Sequence, residues 1–284
     1  MWSIQVLNSL AFAGLLFLLS SGYTLVFGLM RIPNMAHGVL FLLGGYVGVT
    51  VARAGLPFPV AVLVAGAIVA ALGALLERGI LRRMAGRETA EVLATIGVAL
   101  VGANVCLLIW GGDPIQLAAP SSLQGSIRQF GMIFPTYRIF VFGFAAVVAI
   151  ALYVLIDRTR LGAMIRAAVD DREMARAVGI PVSALFTTVF CLGSFLVGAA
   201  GVLATPVLAL YPGLDSSMLL FALVVVIIGG SGSLAGAIVG SVIVGALYSF
   251  GPAYFPDFSY GVLFLPMAVV LIVRPQGLFG RLET

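Results

Sequence analysis

Two short breaks between apolar segments carry the side chains best suited to contact a polar solute. The first break runs from Arg31 to Gly38 and the second from Gly229 to Ser233. Each precedes a segment with small or polar residues at its start, where the free N–H groups and partial positive charge of a helix N-terminus suit a carboxylate. Because interrupted segments in both halves of a transporter indicate the solute path, we predict that four residues line this path or its gate: Asn34, His37, Ser231 and Ser233.

The same residues also have structural interpretations, which the sequence leaves open. Pro33 ends the preceding helix, and Asn34 can cap a segment that begins at Met35. His37 is the single histidine, and it can either anchor the break by hydrogen bonding or touch the solute. The order of the segments puts both breaks towards the cytoplasmic side, so a central site and an inner gate both remain open.

The sequence lacks the common patterns of catalysis and of ATP binding. It contains no P-loop, no H-E-x-x-H, no G-x-S-x-G and no cluster of cysteine and histidine. Cys106 and Cys191 lie in apolar runs, so we expect two free thiols and neither a metal nor a cofactor. No Asp, Glu or Arg occupies the middle of an apolar segment, where proton-coupled transporters generally need one. We therefore do not expect an enzyme, and we disfavour a proton-driven carrier.

The segment from Asp157 to Pro181 is charged and lies between two apolar runs. We predict one helix over residues 159–179, which ends at Gly179 because Pro181 prevents continuation. A stripe of mostly small and apolar residues recurs at three- and four-residue spacing along it: Met164, Ala167, Ala168, Asp171, Met174, Ala175 and Val178. Such a helix either lies on the membrane surface or docks into a groove of a partner.

Composition places these features in a membrane. Of the 284 residues, 62% are hydrophobic and 9% are charged, and the mean hydropathy is +1.18. A soluble domain keeps about a quarter of its residues charged, so this surface must meet lipid. We predict one all-α, polytopic membrane domain over residues 1–284, with eight or nine hydrophobic segments and some broken or re-entrant helices: 6–29, 35–52, 57–77, 90–110, 137–156, 183–210, 216–230, 233–250 and 258–274.

The arginines predict the orientation. With residues 78–88 and 157–176 on the cytoplasmic side, twelve arginines lie inside and three outside, which is a strong positive-inside bias. The N-terminus is then outside and the C-terminus inside. The pI of about 9.4 therefore reflects topology, and we expect no nucleic-acid partner. The inner set is Arg31, Arg78, Arg82, Arg83, Arg87, Arg158, Arg160, Arg166, Arg172, Arg176, Arg274 and Arg281; the outer set is Arg53, Arg128 and Arg138.

Seven further stretches follow the order of one known family, from about residue 8 to residue 280: residues 22–28, 31–38, 44–46, 77–78, 93–97, 229–233 with Gly236, and 273–280. With them, the chain resembles the permease subunits of branched-chain amino acid (LIV-type) ABC importers, and the charged segment looks like their cytoplasmic coupling loop. The resemblance is closer to the subunit type that carries an Asn-x-Ala-His-Gly stretch. In one departure, Phe221 stands where the family often has a Lys.

This resemblance implies a system of several subunits. Two permease subunits, here this chain and a sister chain, would form the channel in the bacterial inner membrane. Two cytoplasmic ATPase subunits would bind beneath them, and an external solute-binding protein would deliver amino acids or related organic acids. The residues expected to couple to the ATPase are Gly162, Ala168, Asp171, Arg172, Glu173 and Gly179. The alternative is a secondary carrier or channel for small solutes that acts without an ATPase.

Overall fold

The computed structural model describes residues 2–30, 33–129, 132–254 and 259–280. The predicted positions of Arg31 and Arg281 fall outside these ranges. The helices are α1 (Trp2–Met30), α2 (His37–Arg53), α3 (Phe58–Leu76), α4 (Arg82–Met84), α5 (Glu88–Trp110), α6 (Thr136–Arg158), α7 (Arg160–Asp170), α8 (Arg172–Ala177), α9 (Val182–Ala204), α10 (Leu214–Gly229), α11 (Leu234–Tyr254) and α12 (Ser259–Val273).

Six helices in the described part of the chain are long and apolar enough to cross a membrane. They lie in α1, α3 with its continuation to Met84, α5, α6, α9 and α11. Three apolar helices are shorter: His37–Arg53, Leu214–Gly229 and Phe264–Val273. The chain is thus an α-helical, polytopic membrane protein, and each predicted hydrophobic segment coincides with a helix at least in part.

The helices form a centre and a periphery. In α1 and α9, 83% and 72% of the apolar span is buried, against 11% in α5 and 17% in α6. Helix α9 packs against α1, α2 and α3, so it occupies the middle of the bundle. The outer faces of α5 and α6 remain apolar and exposed, which suits contact with lipid.

Glycine allows the central helices to approach closely. A Cβ atom on Gly44 of α2 would lie 2.5 Å from the backbone of Gly198 of α9, and one on Gly22 of α1 would lie 2.5 Å from the carbonyl oxygen of Gly193. Membrane helices rely on such small residues because lipid gives little hydrophobic drive for their association.

One predicted segment, 183–210, is wrong as a single helix. Helix α9 ends at Ala204, and the chain runs irregularly to Gly213, which begins α10 in the left-handed conformation with φ of +100°. Pro206 and Pro212 explain the interruption, because proline lacks the N–H that a helix needs and clashes with the preceding turn. Thr205 and Leu210 are buried, whereas residues 211–213 are exposed, so the first part of this break lies in the protein interior and its end reaches the surface.

The predicted single helix over residues 159–179 is also wrong: α7 ends at Asp170 and α8 begins at Arg172. Asp171 is extended, and its Oδ1 accepts hydrogen bonds of 2.9 Å from the N–H groups of Glu173 and Met174. An aspartate that caps a helix N-terminus competes with helix continuation, which explains the break. The predicted stop at Gly179 is confirmed, since its φ is +87°.

A small β-hairpin departs from the all-α prediction. Strands β1 (Ser126–Gln129) and β2 (Met132–Pro135) pair antiparallel, with Ser126 opposite Pro135. Upstream in the same connection between α5 and α6, Ile115 forms an isolated bridge with Leu210. This bridge ties the connection to the interrupted segment before α10.

Candidate functional site

The first break is a tight turn that leads into α2. The Oδ1 atom of Asn34 accepts a 3.1 Å hydrogen bond from the Ala36 N–H, and the Asn34 carbonyl oxygen accepts a 3.2 Å bond from the His37 N–H. The helix therefore starts at His37, two residues later than predicted. Asn34 stabilises the turn before the helix, because an asparagine side chain readily reaches the backbone N–H two residues ahead.

His37 holds this turn against the middle of α1. Its side chain is buried, its Nε2 lies 2.9 Å from the carbonyl oxygen of Leu19, and its ring packs edge-to-face on Tyr23 with centroids 5.4 Å apart. Leu19 lies about 16 Å along the axis from the end of α1 at Met30. On the opposite side, Thr95 Oγ1 of α5 accepts a 3.2 Å hydrogen bond from the Met35 N–H. The break therefore lies deep within the bundle.

Three hydroxyl groups of α1, which were not among the predicted site residues, also lie in this region. Ser20 Oγ, Tyr23 OH and Thr24 Oγ1 are buried and have no hydrogen-bond partner within the described residues. Positions 20, 23 and 24 share one helix face. An unsatisfied buried polar group costs about 1–3 kcal/mol, so these hydroxyls are suited to bind water or a polar solute. The signal was present in the sequence as the polar run from Ser20 to Thr24 inside an apolar segment.

The start of α10 meets the start of α2. The carbonyl oxygen of Asp215 lies so close to Gly38 that a Cβ atom there would clash with it. Asp215 is buried, and its Oδ1 accepts a 3.1 Å hydrogen bond from the Gly213 N–H. Two short helices that follow irregular segments thus bring their N-termini together inside the bundle. This pairing was missed because the segment before α10 was predicted to be helical.

The second predicted break lies elsewhere. Ser233 Oγ accepts a 3.0 Å hydrogen bond from the Gly236 N–H and caps α11, whereas Ser231 is exposed in the turn. Gly232 in this turn packs against Gly28 of α1, about 13 Å along α1 from Leu19. The structure therefore brings Asn34 and His37 together and does not place Ser231 or Ser233 beside them.

The residues expected to couple to an ATPase divide into inward and outward groups. Gly162 and Ala168 are buried, and Gly162 packs on the Ile156 carbonyl oxygen of α6. Asp171, Glu173 and Gly179 are exposed, as are the apolar side chains of Met174 (61%) and Val178 (69%). The Arg172 guanidinium lies 4.8 Å from the centroid of the Phe186 ring and so connects α8 to α9.

An ion pair between a buried carboxylate and a partly exposed arginine joins the end of α3 to the start of α9. Glu77 is 1% exposed, and its carboxylate accepts bonds from Arg82 (Nε 3.1 Å, Nη2 2.9 Å) and from Thr187 Oγ1 (2.8 Å). Arg82 also donates to the Ser183 carbonyl oxygen. The π-helical turn Glu77–Leu81 places Glu77 and Arg82 on one face. In the sequence, Glu77 belongs to one of the stretches that carry the resemblance, and its partners in this network were not predicted.

The described residues hold no group of three or more His, Cys, Asp or Glu side chains suited to a metal ion. Cys106 and Cys191 are both free. The polar groups described above in the interior of the bundle are helix N-termini, hydroxyls, His37 and a few buried carboxylates. Together with the interrupted, buried helices they define a class: a polytopic α-helical membrane protein of the kind that moves solutes.

Comparison with known proteins gives the family within this class. The chain belongs to the family described as branched-chain amino acid transport system / permease component, whose model matches residues 5–271. It is 28% identical to the high-affinity branched-chain amino acid transport system permease protein BraD of Pseudomonas aeruginosa, over 98% of this chain and 96% of that protein. It is equally 28% identical to the permease protein LivH of Escherichia coli K12, with the same coverage.

Among solved structures, PsaBC from Streptococcus pneumoniae in complex with Fab matches at 18% identity. The match covers 94% of this chain and 89% of that chain, with a TM-score of 0.49.

Proposed function

We propose that this chain is the membrane-spanning subunit of an ATP-driven importer of branched-chain amino acids. The observation that carries the proposal is the meeting of the α2 and α10 N-termini at Gly38 and Asp215 inside the bundle. Helix N-termini carry about half a positive charge and offer free N–H groups, which suit the carboxylate of an amino acid. Irregular backbone at membrane depth is tolerated where protein or a water-filled cavity surrounds it.

The path for the solute passes along the polar face of α1. His37 and Asn34 hold the α2 break in place. The hydroxyls of Ser20, Tyr23 and Thr24 form hydrogen bonds with water, or with the solute when it is present. Ser231 and Ser233 belong to the turn between α10 and α11, which packs against the end of α1. In this proposal that turn is part of an inner gate, whereas the α2 break lies beside the central path.

Energy enters through α7 and α8. We assign the exposed surface of Asp171, Glu173, Met174, Val178 and Gly179 to a cytoplasmic ATPase subunit. Exposed apolar side chains beside charged ones are typical of a surface that docks a partner. Gly162 and Ala168 face the bundle, so they support the position of α7 and do not form that surface. A movement of this surface reaches α9 by two routes. One is the contact of Arg172 with Phe186, and the other is the network of Glu77, Arg82 and Thr187.

The remaining parts of the importer follow from this assignment. The chain lies in a bacterial inner membrane with its N-terminus outside and its C-terminus in the cytoplasm. It pairs with a sister permease subunit, two ATPase subunits drive it, and an external solute-binding protein delivers the amino acid. The family and the strong inside bias of the arginines support this arrangement.

Reconstitution tests the proposal. The permease pair, its ATPase subunits and the binding protein are placed in proteoliposomes, and uptake of labelled leucine is measured with and without ATP. We expect uptake only when the ATPase subunits, ATP and the binding protein are all present. Uptake by the permease subunits alone, driven by a proton gradient, would instead establish a secondary carrier. The buried carboxylates of Glu91 and Asp215 are the observation that favours that second candidate.

A further inference from the structure

A cavity of about 630 Å³ opens between the bundle and α8. Its walls come from the ends of α1 and α3, the turn at Ala85 and Gly86, the start of α5, the junction of α7 and α8, and the start of α9. This volume falls within the range of about 300–1,000 Å³ that is usual for small-molecule sites. Carboxylates and guanidinium groups both line it, so its chemistry differs from that of the apolar surfaces around it.

One carboxylate that lines this cavity has an oxygen atom without a hydrogen-bond partner in the described part of the chain. Glu91 in the first turn of α5 is 1% exposed, and its Oε1 atom has no hydrogen-bond partner within the described residues. The charged groups near this carboxylate are Glu88 and Arg172. A buried carboxylate oxygen without a donor is costly, so such oxygens normally meet a cation or an N–H donor.

A polar face of α5 leads from this carboxylate to the break before α2. Glu91 and Thr95 are one helical turn apart, so their side chains lie on the same face. Both are buried, and Thr95 Oγ1 accepts the hydrogen bond from the Met35 N–H. The cavity is thus connected through one turn of helix to the region that we assign to the solute path.

We infer that this cavity is an exit site for a zwitterionic α-amino acid, with Glu91 as the acceptor for the ammonium group. This inference rests on the proposed function. An ammonium group supplies three donors, and the incomplete Oε1 atom accepts one of them. Arg176 of α8 also lines the cavity, is exposed, and supplies a cation for the carboxylate of the solute. The aliphatic side chain lies against Val169, Val182 and Phe186.

The experiment is protection of a single cysteine in the assembled importer. Ala85 is exposed and lines the cavity, so Ala85→Cys is introduced with Cys106→Ala and Cys191→Ala. The rate of labelling by a thiol reagent added on the cytoplasmic side is measured with leucine, with 4-methylpentanoate, which lacks the ammonium group, and with 3-methylbutylamine, which lacks the carboxylate. We expect leucine to slow labelling most, and the amine to slow it more than the acid, because the acid keeps its contact with the exposed Arg176 but has no group for Glu91.

Glu91→Gln then tests the residue, and Glu88→Gln is the matched control on the same wall. We expect Glu91→Gln to raise the leucine concentration for half-protection by about tenfold or more, because a charged hydrogen bond is lost. Glu88 is exposed and screened, so its neutralisation should change that concentration by less than about threefold. If Glu91→Gln prevents assembly, the comparison of the amine with the acid in the Glu91 protein still decides the assignment.

The outcomes separate this inference from the proposed function. Leucine uptake without any protection of the cysteine would show that the cavity is not an exit site, and the importer assignment would stand. Equal protection by 4-methylpentanoate and by the amine would show that Glu91 does not bind the ammonium group. Unchanged protection in Glu91→Gln would show the same. Failure of the complete complex to take up leucine in the same vesicles would count against the importer assignment itself.

Discussion

The carbonyl oxygen of Asp215 lies directly against Gly38, so the first turns of α10 and α2 touch inside the bundle. Only a residue without a side chain fits there. The contact joins two helices that each begin after an irregular segment. It therefore links the two halves of the chain at the place where we expect the carboxylate of the solute to pass.

Gly38→Ala should damage this junction. The added methyl group meets the Asp215 carbonyl oxygen and Leu219, and overpacking of this kind costs about 1–3 kcal/mol. We expect a lower thermal unfolding midpoint in detergent and slower leucine uptake. Gly97→Ala is the matched control, because a Cβ atom at Gly97 in α5 meets nothing within 4 Å. Equal midpoints and uptake rates for the two variants would show that the junction tolerates displacement.

His37→Leu should weaken the attachment of the α2 break to α1. The variant loses the 2.9 Å contact with the Leu19 carbonyl oxygen, which keeps its own hydrogen bond within α1, so the cost is that of one net hydrogen bond, about 0.5–1.5 kcal/mol. Uptake of leucine should fall more than the amount of assembled complex in the membrane. Ser231→Leu changes an exposed turn residue and should have a smaller effect on uptake. Normal uptake by both variants would mean that the two breaks serve packing alone.

Arg82→Met should be more harmful than neutralising both members of its ion pair. The single variant leaves the buried Glu77 carboxylate without its cation, at a cost of roughly 2 kcal/mol after allowance for the partial exposure of Arg82. The double variant Glu77→Gln with Arg82→Met should recover part of the stability in thermal unfolding. Arg83→Met, an exposed neighbour, serves as the control. A double variant as unstable as the single one would exclude a coupled pair.

Met174→Asp should prevent the ATPase from docking. It places a charge on an exposed apolar position of α8 and leaves the buried face of α7 unchanged. We expect the permease to insert normally but to lose co-purification of the ATPase subunits and ATP-dependent uptake. Ser122→Asp, in the exposed connection between α5 and α6, makes a similar change at another site and should retain both. Full co-purification of the ATPase subunits with the Met174→Asp protein would show that the docking surface does not include α8.

Orientation is tested by single cysteines in a background without Cys106 and Cys191. A cysteine at Ser126, an exposed residue of β1, should react with an impermeant thiol reagent added outside intact cells. A cysteine at Arg83, exposed on α4, should react only after the membrane is opened. The reverse pattern would invert the orientation that the arginines predict.

The sequence was sufficient to place most helices, because long apolar runs leave little choice inside a membrane. It failed at residues 205–210, which were predicted to continue the helix because most of them are apolar, although Pro206 excludes a continuous helix. It failed again at Asp171, whose side-chain bonds to the next turn outweigh the helical periodicity around it. The contact between Gly38 and Asp215 joins positions distant in sequence, and a single sequence carries no signal for such a pair.

The position of α9 has a thermodynamic consequence. This helix touches α8 at Phe186 and α2 at Gly198, two positions about 18 Å apart along its axis. If a solute at the α2 break alters the affinity of α8 for an ATPase by some factor, then ATPase binding must alter the affinity for that solute by the same factor. Detached from its ATPase, this subunit should therefore bind solute with a different affinity from that of the complete importer.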